Sequence, residues 1–374
     1  MILKSKIFKK QFKEFLIKHV YKKQFIIVLF IFLIKKLKVE KVISNFLIKK
    51  DFHKEVNKCI FFTTRSLLYE IGNLIEQTEY PNLKSKQTNK KKQNIYFVKS
   101  SNINKFVENH LNLISDNFIL VSGDSDTEIR IDEAQTDSRL KNSILKILNS
   151  DKLISWYSQN LFFNNDKTVS LPHGLDYHTV WENRKLWENF RCSPSFQEKK
   201  LIKILNNSKY FKDRESLIFN NWHFSLNHGN RNKIFEKISK KDNYFLEKRI
   251  TRFSNWEVQS QYKYIFCPSG KGLDDPRIYE SIILGNIPIR IEDQLSQFHE
   301  GLPIINIKNL EDLNLEFINS KFLNFEDKKF DFQSLLLDYW RKQLDLEYEF
   351  ETEKFKNITI EEFRVNIINF YLNG

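Results

Sequence analysis

The chain has 374 residues, 41% hydrophobic and 14% aromatic, which is enough for two domains of ordinary size and excludes a chain disordered throughout. Its formal net charge of +13 is unevenly placed: residues 1–50 carry fourteen lysines against two acids, Glu14 and Glu40, and the remainder is close to neutral. A basic terminal tail favours anionic surfaces, membranes included, whereas a nucleic-acid binder spreads its basic patch over a folded domain, so no nucleic-acid partner is expected.

Within residues 1–50, Phe8, Phe12, Phe15 and Leu16 share one helical face, with lysines elsewhere. Phe25–Ile34 is a run of ten apolar residues between Lys22-Lys23 and Lys35-Lys36. A spanning helix needs about 20 apolar residues, so the run reads first as an interfacial basic helix, with a short anchor or a buried core helix as alternatives. A signal peptide would need a small-residue cleavage site, and none follows. Membrane association is expected through this segment, on a cytoplasmic face or in a Golgi lumen.

Residues 51–80 read as mostly helical and 84–94 as a polar, basic loop. A βα pattern follows, with strands at Ile95–Val98, Phe118–Ser122, Leu153–Tyr157 and Thr168–Leu171 and helices at Asn102–Ile114 and Arg139–Leu148. Trp187–Ser193 reads as a crossing segment. A second unit then begins, with a helix at Phe196–Leu205, a strand at Leu217–Phe224 and a helix at Asn230–Lys240. Pro303–Ile307 reads as a strand, and Phe332–Glu349 and Thr359–Leu372 as closing helices. Alternating β and α elements predict an α/β fold with two Rossmann-like domains facing a cleft and a basic helical N-terminal extension. The boundaries are 1–50 for the extension, 51–190 and 191–345 for the domains, and 346–374 for the closing helices.

The densest stretch is Tyr262–Ile291. Tyr264–Cys267 is a short apolar run that reads as a buried strand, and Pro268-Ser-Gly-Lys-Gly272 is a turn. Asp274 and Asp275 stand where a helix wants caps, and Pro276 suits its first turn. Ile278, Ile282 and Ile283 supply an apolar face, Gly285-Asn286 stops the helix, and Ile287–Ile291 is the next strand. The loop lacks the spacing of a Walker A sequence. A strand, glycine loop and helix start still present free amides and a positive dipole end, which suits a diphosphate. Arg277 and Glu280 lie three apart on one helix face. The bland reading is a surface ion pair; the functional one puts Arg277 on phosphate and Glu280 on ribose hydroxyls.

Gly272, Leu273, Asp274, Arg277, Glu280, Gly285, Ile287 and Pro288 form a pattern that resembles the C-terminal signature of exostosin-like glycosyltransferases. It is also similar to the nucleotide-binding segment of fucosyltransferases and other two-Rossmann (GT-B) enzymes. The preceding run from Gln261 to Gly270 extends the likeness, while Pro276 stands where the family carries a histidine. The close likeness spans Tyr262–Ile291, with a looser one over the second domain. It implies a nucleotide-sugar donor, UDP- or GDP-linked, held by Gly270, Lys271, Gly272, Asp274, Arg277 and Glu280, with Glu280 on the ribose and no further cofactor required. In transferases of this type the first loop of the second domain supplies a basic group to the diphosphate. Here that loop is Asn227-His-Gly-Asn-Arg231, so Arg231 joins the set, or else is an exposed loop arginine. His223 reads as a satisfied core histidine.

For the acceptor half, Leu171-Pro-His-Gly-Leu-Asp-Tyr-His178 follows a strand, and its proline and glycine fix a tight loop around His173. His173 is the candidate general base, against the alternative of a structural loop histidine. Trp156, Ser158 and Asn160 could line the same cleft. Asp124 and Asp126 match the Asp-x-Asp metal pattern of single-domain transferases, but read better as a turn or as acceptor-side carboxylates. Cys59, Cys192 and Cys267 are too far apart for a zinc cluster, so no metal ligand is assigned. The expected activity is glycosyl transfer to a glycan or glycolipid hydroxyl. Rival readings are a non-catalytic nucleotide- or sugar-binding protein and a membrane-surface scaffold.

Overall fold

A computed structural model describes residues 55–71, 86–87, 94–132, 137–182, 192–322 and 327–373. The basic segment 1–50, with Phe25–Ile34, and most of Trp187–Ser193 lie outside the described residues. Among the described residues no helix is long and apolar enough to cross a membrane.

The first sheet holds β1 (Lys86–Gln87), β2 (Asn94–Lys99), β3 (Phe118–Gly123), β4 (Leu153–Gln159) and β5 (Thr168–Leu171) in that spatial order. β2 to β5 are parallel, and β1 pairs antiparallel at the edge. Sequential order means that each crossover steps the same way, and right-handed connections then place the crossover helices on one face. Accordingly α2 (Ile103–Asn109) and α3 (Ser138–Leu148) share a core with Val98, Phe118, Leu120 and Trp156. The alternate strand residues Ile95, Phe97, Ile119, Val121 and Tyr157 point to the opposite face. That face is covered from outside the βα run, by α1 (Thr64–Ile71) and by α10 (Leu337–Gln343) from near the other end of the chain.

The second sheet contains β6 (Glu215–Asn220), β7 (Asn243–Phe245), β8 (Tyr262–Phe266), β9 (Ile287–Ile291) and β10 (Ile305–Ile307). All pairs are parallel, in the order β10-β9-β8-β6-β7, so the direction of winding reverses between β6 and β8. Residues 53–374 form one compact unit around the two sheets. The α/β class and the parallel sheets agree with the sequence expectation.

β1 falls within 84–94, the stretch expected to be a polar loop, and two further expectations differ in detail. The strand expected over Leu217–Phe224 stops at Asn220, whose side chain bonds Ile218 O, Asn243 Oδ1 and Trp222 Nε1. The chain then turns so that Trp222 can bury itself among Phe235, Phe245 and Phe266. The helix expected over Phe332–Glu349 is broken at Leu336, which is extended and bridges to Phe61. Phe62 N donates to Leu335 O at 2.8 Å and Leu337 N to Ile60 O at 2.8 Å. Backbone pairing with a distant segment therefore overrides local helical preference, and α10 resumes only after it. The last helix, α11 (Ile360–Asn373), packs on α5 (Pro194–Asn207).

Candidate functional site

Where the winding of a parallel sheet reverses, the loops leaving adjacent strands diverge and leave a crevice at their carboxyl ends. Here the loops after β6 and β8 bound a cleft of about 360 Å³. The loop after β8 runs through Gly270, Lys271 and Gly272 into α8 (Pro276–Ile283). Asp275 is the N-cap, its Oδ1 accepting from Arg277 N at 2.9 Å, and Pro276 occupies the first turn. Gly285, at φ +73°, follows the helix end as expected.

Arg231, the first residue of α6 (Arg231–Lys237), is buried beneath the glycine loop. Its Nη2 donates to Pro268 O at 3.0 Å and to Asp275 Oδ2 at 2.8 Å, while its buried Nε has no partner. Gly270 permits this approach, because a Cβ there would sit 3.0 Å from Arg231 Nη2. Arg277 reaches the same Asp275 oxygen at 3.3 Å. Burial pushes the Asp275 carboxyl up, but Arg277 and Arg231 outweigh it and hold the group below the ordinary range. Lys271 is exposed at the cleft and forms no ion pair among the described residues.

Glu280 lines the cleft but is only 8% exposed. Its Oε1 is paired with Arg252 Nη2, and its Oε2 accepts from Trp256 Nε1 at 2.8 Å. Both residues belong to α7 (Arg252–Gln259), a helix not read from the sequence as a site element. The surface ion pair of the bland reading, Arg277 with Glu280, is therefore absent: Arg277 pairs with Asp275, and Glu280 with Arg252. Burial works against the Arg252 charge, but Glu280 and Asp176 more than offset it and raise its pKa.

Asp274 joins the two halves of the cleft. Its Oδ2 accepts from His173 N at 2.6 Å and from Tyr279 OH at 2.7 Å. Its Oδ1 is buried without a hydrogen bond, 3.7 Å from His299 Nε2. Burial alone would raise the carboxyl, but His299, Tyr279 and His173 bring it from 3.8 down to about 2. A depressed folded-state pKa gives stability that is present above the ordinary carboxyl range and lost as pH falls through the folded value. The unfolding free energies of the wild type and Asp274→Asn should therefore converge by about 2 kcal/mol between roughly pH 5 and pH 2. Denaturant titrations at both pH values measure this, and parallel pH profiles would contradict the assignment.

His173 is half-buried on the loop after β5 and lines the cleft. Its carbonyl accepts from Thr64 N at 3.3 Å, and Gly174 bridges to Thr63 at φ +72°. A Cβ at Gly174 would collide with Phe62 O. His173 Nδ1 lies 3.2 Å from Gly174 O, an acceptor only, so this contact places the proton on Nδ1 and leaves the lone pair on Nε2.

Asp124 and Asp126 part company. Asp124 is held by Arg65 at 2.6 Å and Lys99 at 2.8 Å, away from the cleft lining, with φ +52° in the turn. Burial raises its carboxyl, but Arg65 and Lys99 lower it further. These partners fix it within the turn. Asp126 is exposed on the cleft, opposite Gly272. Trp156 and Ser158 also differ from expectation, being fully buried with Ser122 inside the first sheet. Asn160, at the end of β4, does approach Gly272. His223 is half-buried among Phe224, Phe235 and Phe245 and bonds Leu246 O, as a core histidine would. Among the described residues no group of three or more His, Cys, Asp or Glu could hold a metal ion.

Sequence reasoning treated Asp275 only as a cap and did not find Arg252, Trp256 or His299. Asp275 was signalled by its place before Pro276 and Arg277; the others carry no local signature. The cleft thus combines an exposed lysine, two arginines on one carboxylate, a glycine loop and a histidine on the facing loop. No known protein family and no curated protein matches this chain.

Proposed function

We propose that the protein is a glycosyltransferase of the exostosin-like, GT-B type, moving a sugar from a nucleoside diphosphate to a glycan or glycolipid hydroxyl. One observation carries the reading: the His173 loop and the Gly270–Gly272 loop meet at one cleft, joined by the His173–Asp274 bond. In this reading Arg231, Lys271 and Arg277 face the diphosphate. The acceptor oxygen bonds to the anomeric carbon as the bond from that carbon to the phosphate oxygen breaks. His173 takes the hydroxyl proton, and the nucleoside diphosphate leaves with its developing charge met by fixed cations. Direct displacement of this kind inverts the anomeric centre. Residues 1–50 would hold the enzyme at an anionic membrane surface.

A thermal-shift screen of UDP, GDP, CMP and their sugars tests the donor half. A ligand present at 100 times its Kd stabilises the folded state by about 2.7 kcal/mol, and UDP or GDP compounds are expected to do so. The absence of a shift from all of them would remove the proposal.

A further inference from the structure

Asp275 does more than cap a helix. Oδ1 makes the cap bond, while Oδ2 receives Arg231 at 2.8 Å and Arg277 at 3.3 Å, so one carboxylate oxygen already engages both guanidinium groups offered to a diphosphate. Both arginines line the cleft, and Arg231 still has a buried, unpartnered Nε. A purely structural N-cap needs neither arginine, since Asn or Ser would cap as well.

We propose that Asp275 is a resident counter-anion that tunes this site to bind a nucleoside diphosphate sugar and to release the nucleoside diphosphate; the inference rests on the transferase reading above. The physical basis is charge balance. Arg231, Arg277 and Lys271 stand together at the glycine loop and helix start, and Asp275 offsets one of these three charges where the phosphates would sit; elsewhere in the lining Arg252 pairs with Glu280, and Arg249, Asp126, Asp176 and Asp274 complete the charged groups. The product gains a terminal phosphate that ionises near about pH 6, so at neutral pH it carries roughly one more negative charge than the donor. Without Asp275, three cations would face that product and hold it. The carboxylate therefore limits product affinity by repulsion, and keeps two buried-edge arginines paired when no ligand is present.

Calorimetric titration of the full chain with UDP, inorganic pyrophosphate and UMP, for the wild type, Asp275→Asn and Asp275→Ser, tests this. Both substitutions keep a side-chain acceptor for the cap, so either can serve if the other folds poorly. Removing one unit charge from beside the arginines that would hold the phosphates should tighten UDP and pyrophosphate about fivefold, the factor for two unit charges ~4 Å apart in a water-like dielectric. The gain should be smaller for UMP and should shrink at high salt. Equal or weaker diphosphate binding in both variants, with the wild type still binding, overturns the inference and leaves the donor reading standing. If none of the three proteins binds any of the three compounds, the inference and the reading fall together.

Discussion

Replacing Glu280 with alanine is expected to lower the unfolding free energy by about 3–5 kcal/mol, the usual cost of removing one partner from a buried ion pair. Arg252 is 2% exposed, lies 4.8 Å over the Trp256 ring and donates to the Asp176 carbonyl, so it cannot turn out to water without dismantling that packing. Trp256 Nε1 loses its acceptor in the same step. Replacing both Glu280 and Arg252 with leucine should cost less than Glu280→Ala alone, because the arginine that loses its Glu280 partner is then removed with it. Urea titration of the wild type and both variants decides the matter. A loss below about 1 kcal/mol for Glu280→Ala would show that Arg252 and Trp256 find other partners.

The second large effect is expected at Glu198, on α5. This carboxylate is fully buried and accepts from Ile60 N and Phe61 N, each at 3.1 Å, and from the hydroxyls of Tyr177 and Tyr371. It therefore binds together the segment before α1, the loop that carries His173 and the last helix. Glu198→Ala leaves three buried donors and the half-buried Tyr371 hydroxyl without this acceptor, at roughly 1–3 kcal/mol for each that finds no substitute, so a loss of about 4 kcal/mol or more is expected. That is a large share of the ~5–15 kcal/mol that holds a folded domain. Glu198→Gln keeps one acceptor oxygen and should lose about half as much. Thermal or denaturant midpoints for both variants measure this. A Glu198→Ala midpoint equal to wild type would show that other groups already satisfy those donors.

Both residues show where sequence reading stops. Glu280 was found as a site residue, but its partner lies 28 positions away on a helix with no motif. Glu198 lies within an ordinary amphipathic helix, and its partners come from 21 to 173 positions away. Asp124 was read as part of a short acidic pattern, whereas its partner Arg65 lies 59 positions upstream. In each case the residue type was visible and the partner was not.

What the sequence determined by itself was local. Over Tyr262–Ile291 the apolar run, glycine loop, cap, proline and stop each act within a few residues, so strand, loop, helix and strand appear where they were expected. Strands β2 to β5 of the first sheet were legible for the same reason, as short runs rich in apolar residues, whereas β1 lies in the stretch read as a polar loop. The tertiary structure alone decided the rest: that α10 returns to cover the first sheet, that Leu336 is extended rather than helical, and that Asp275 rather than Glu280 takes Arg277. Those outcomes depend on which distant groups share a buried space, where an unpaired charge or backbone amide costs more than any local propensity contributes.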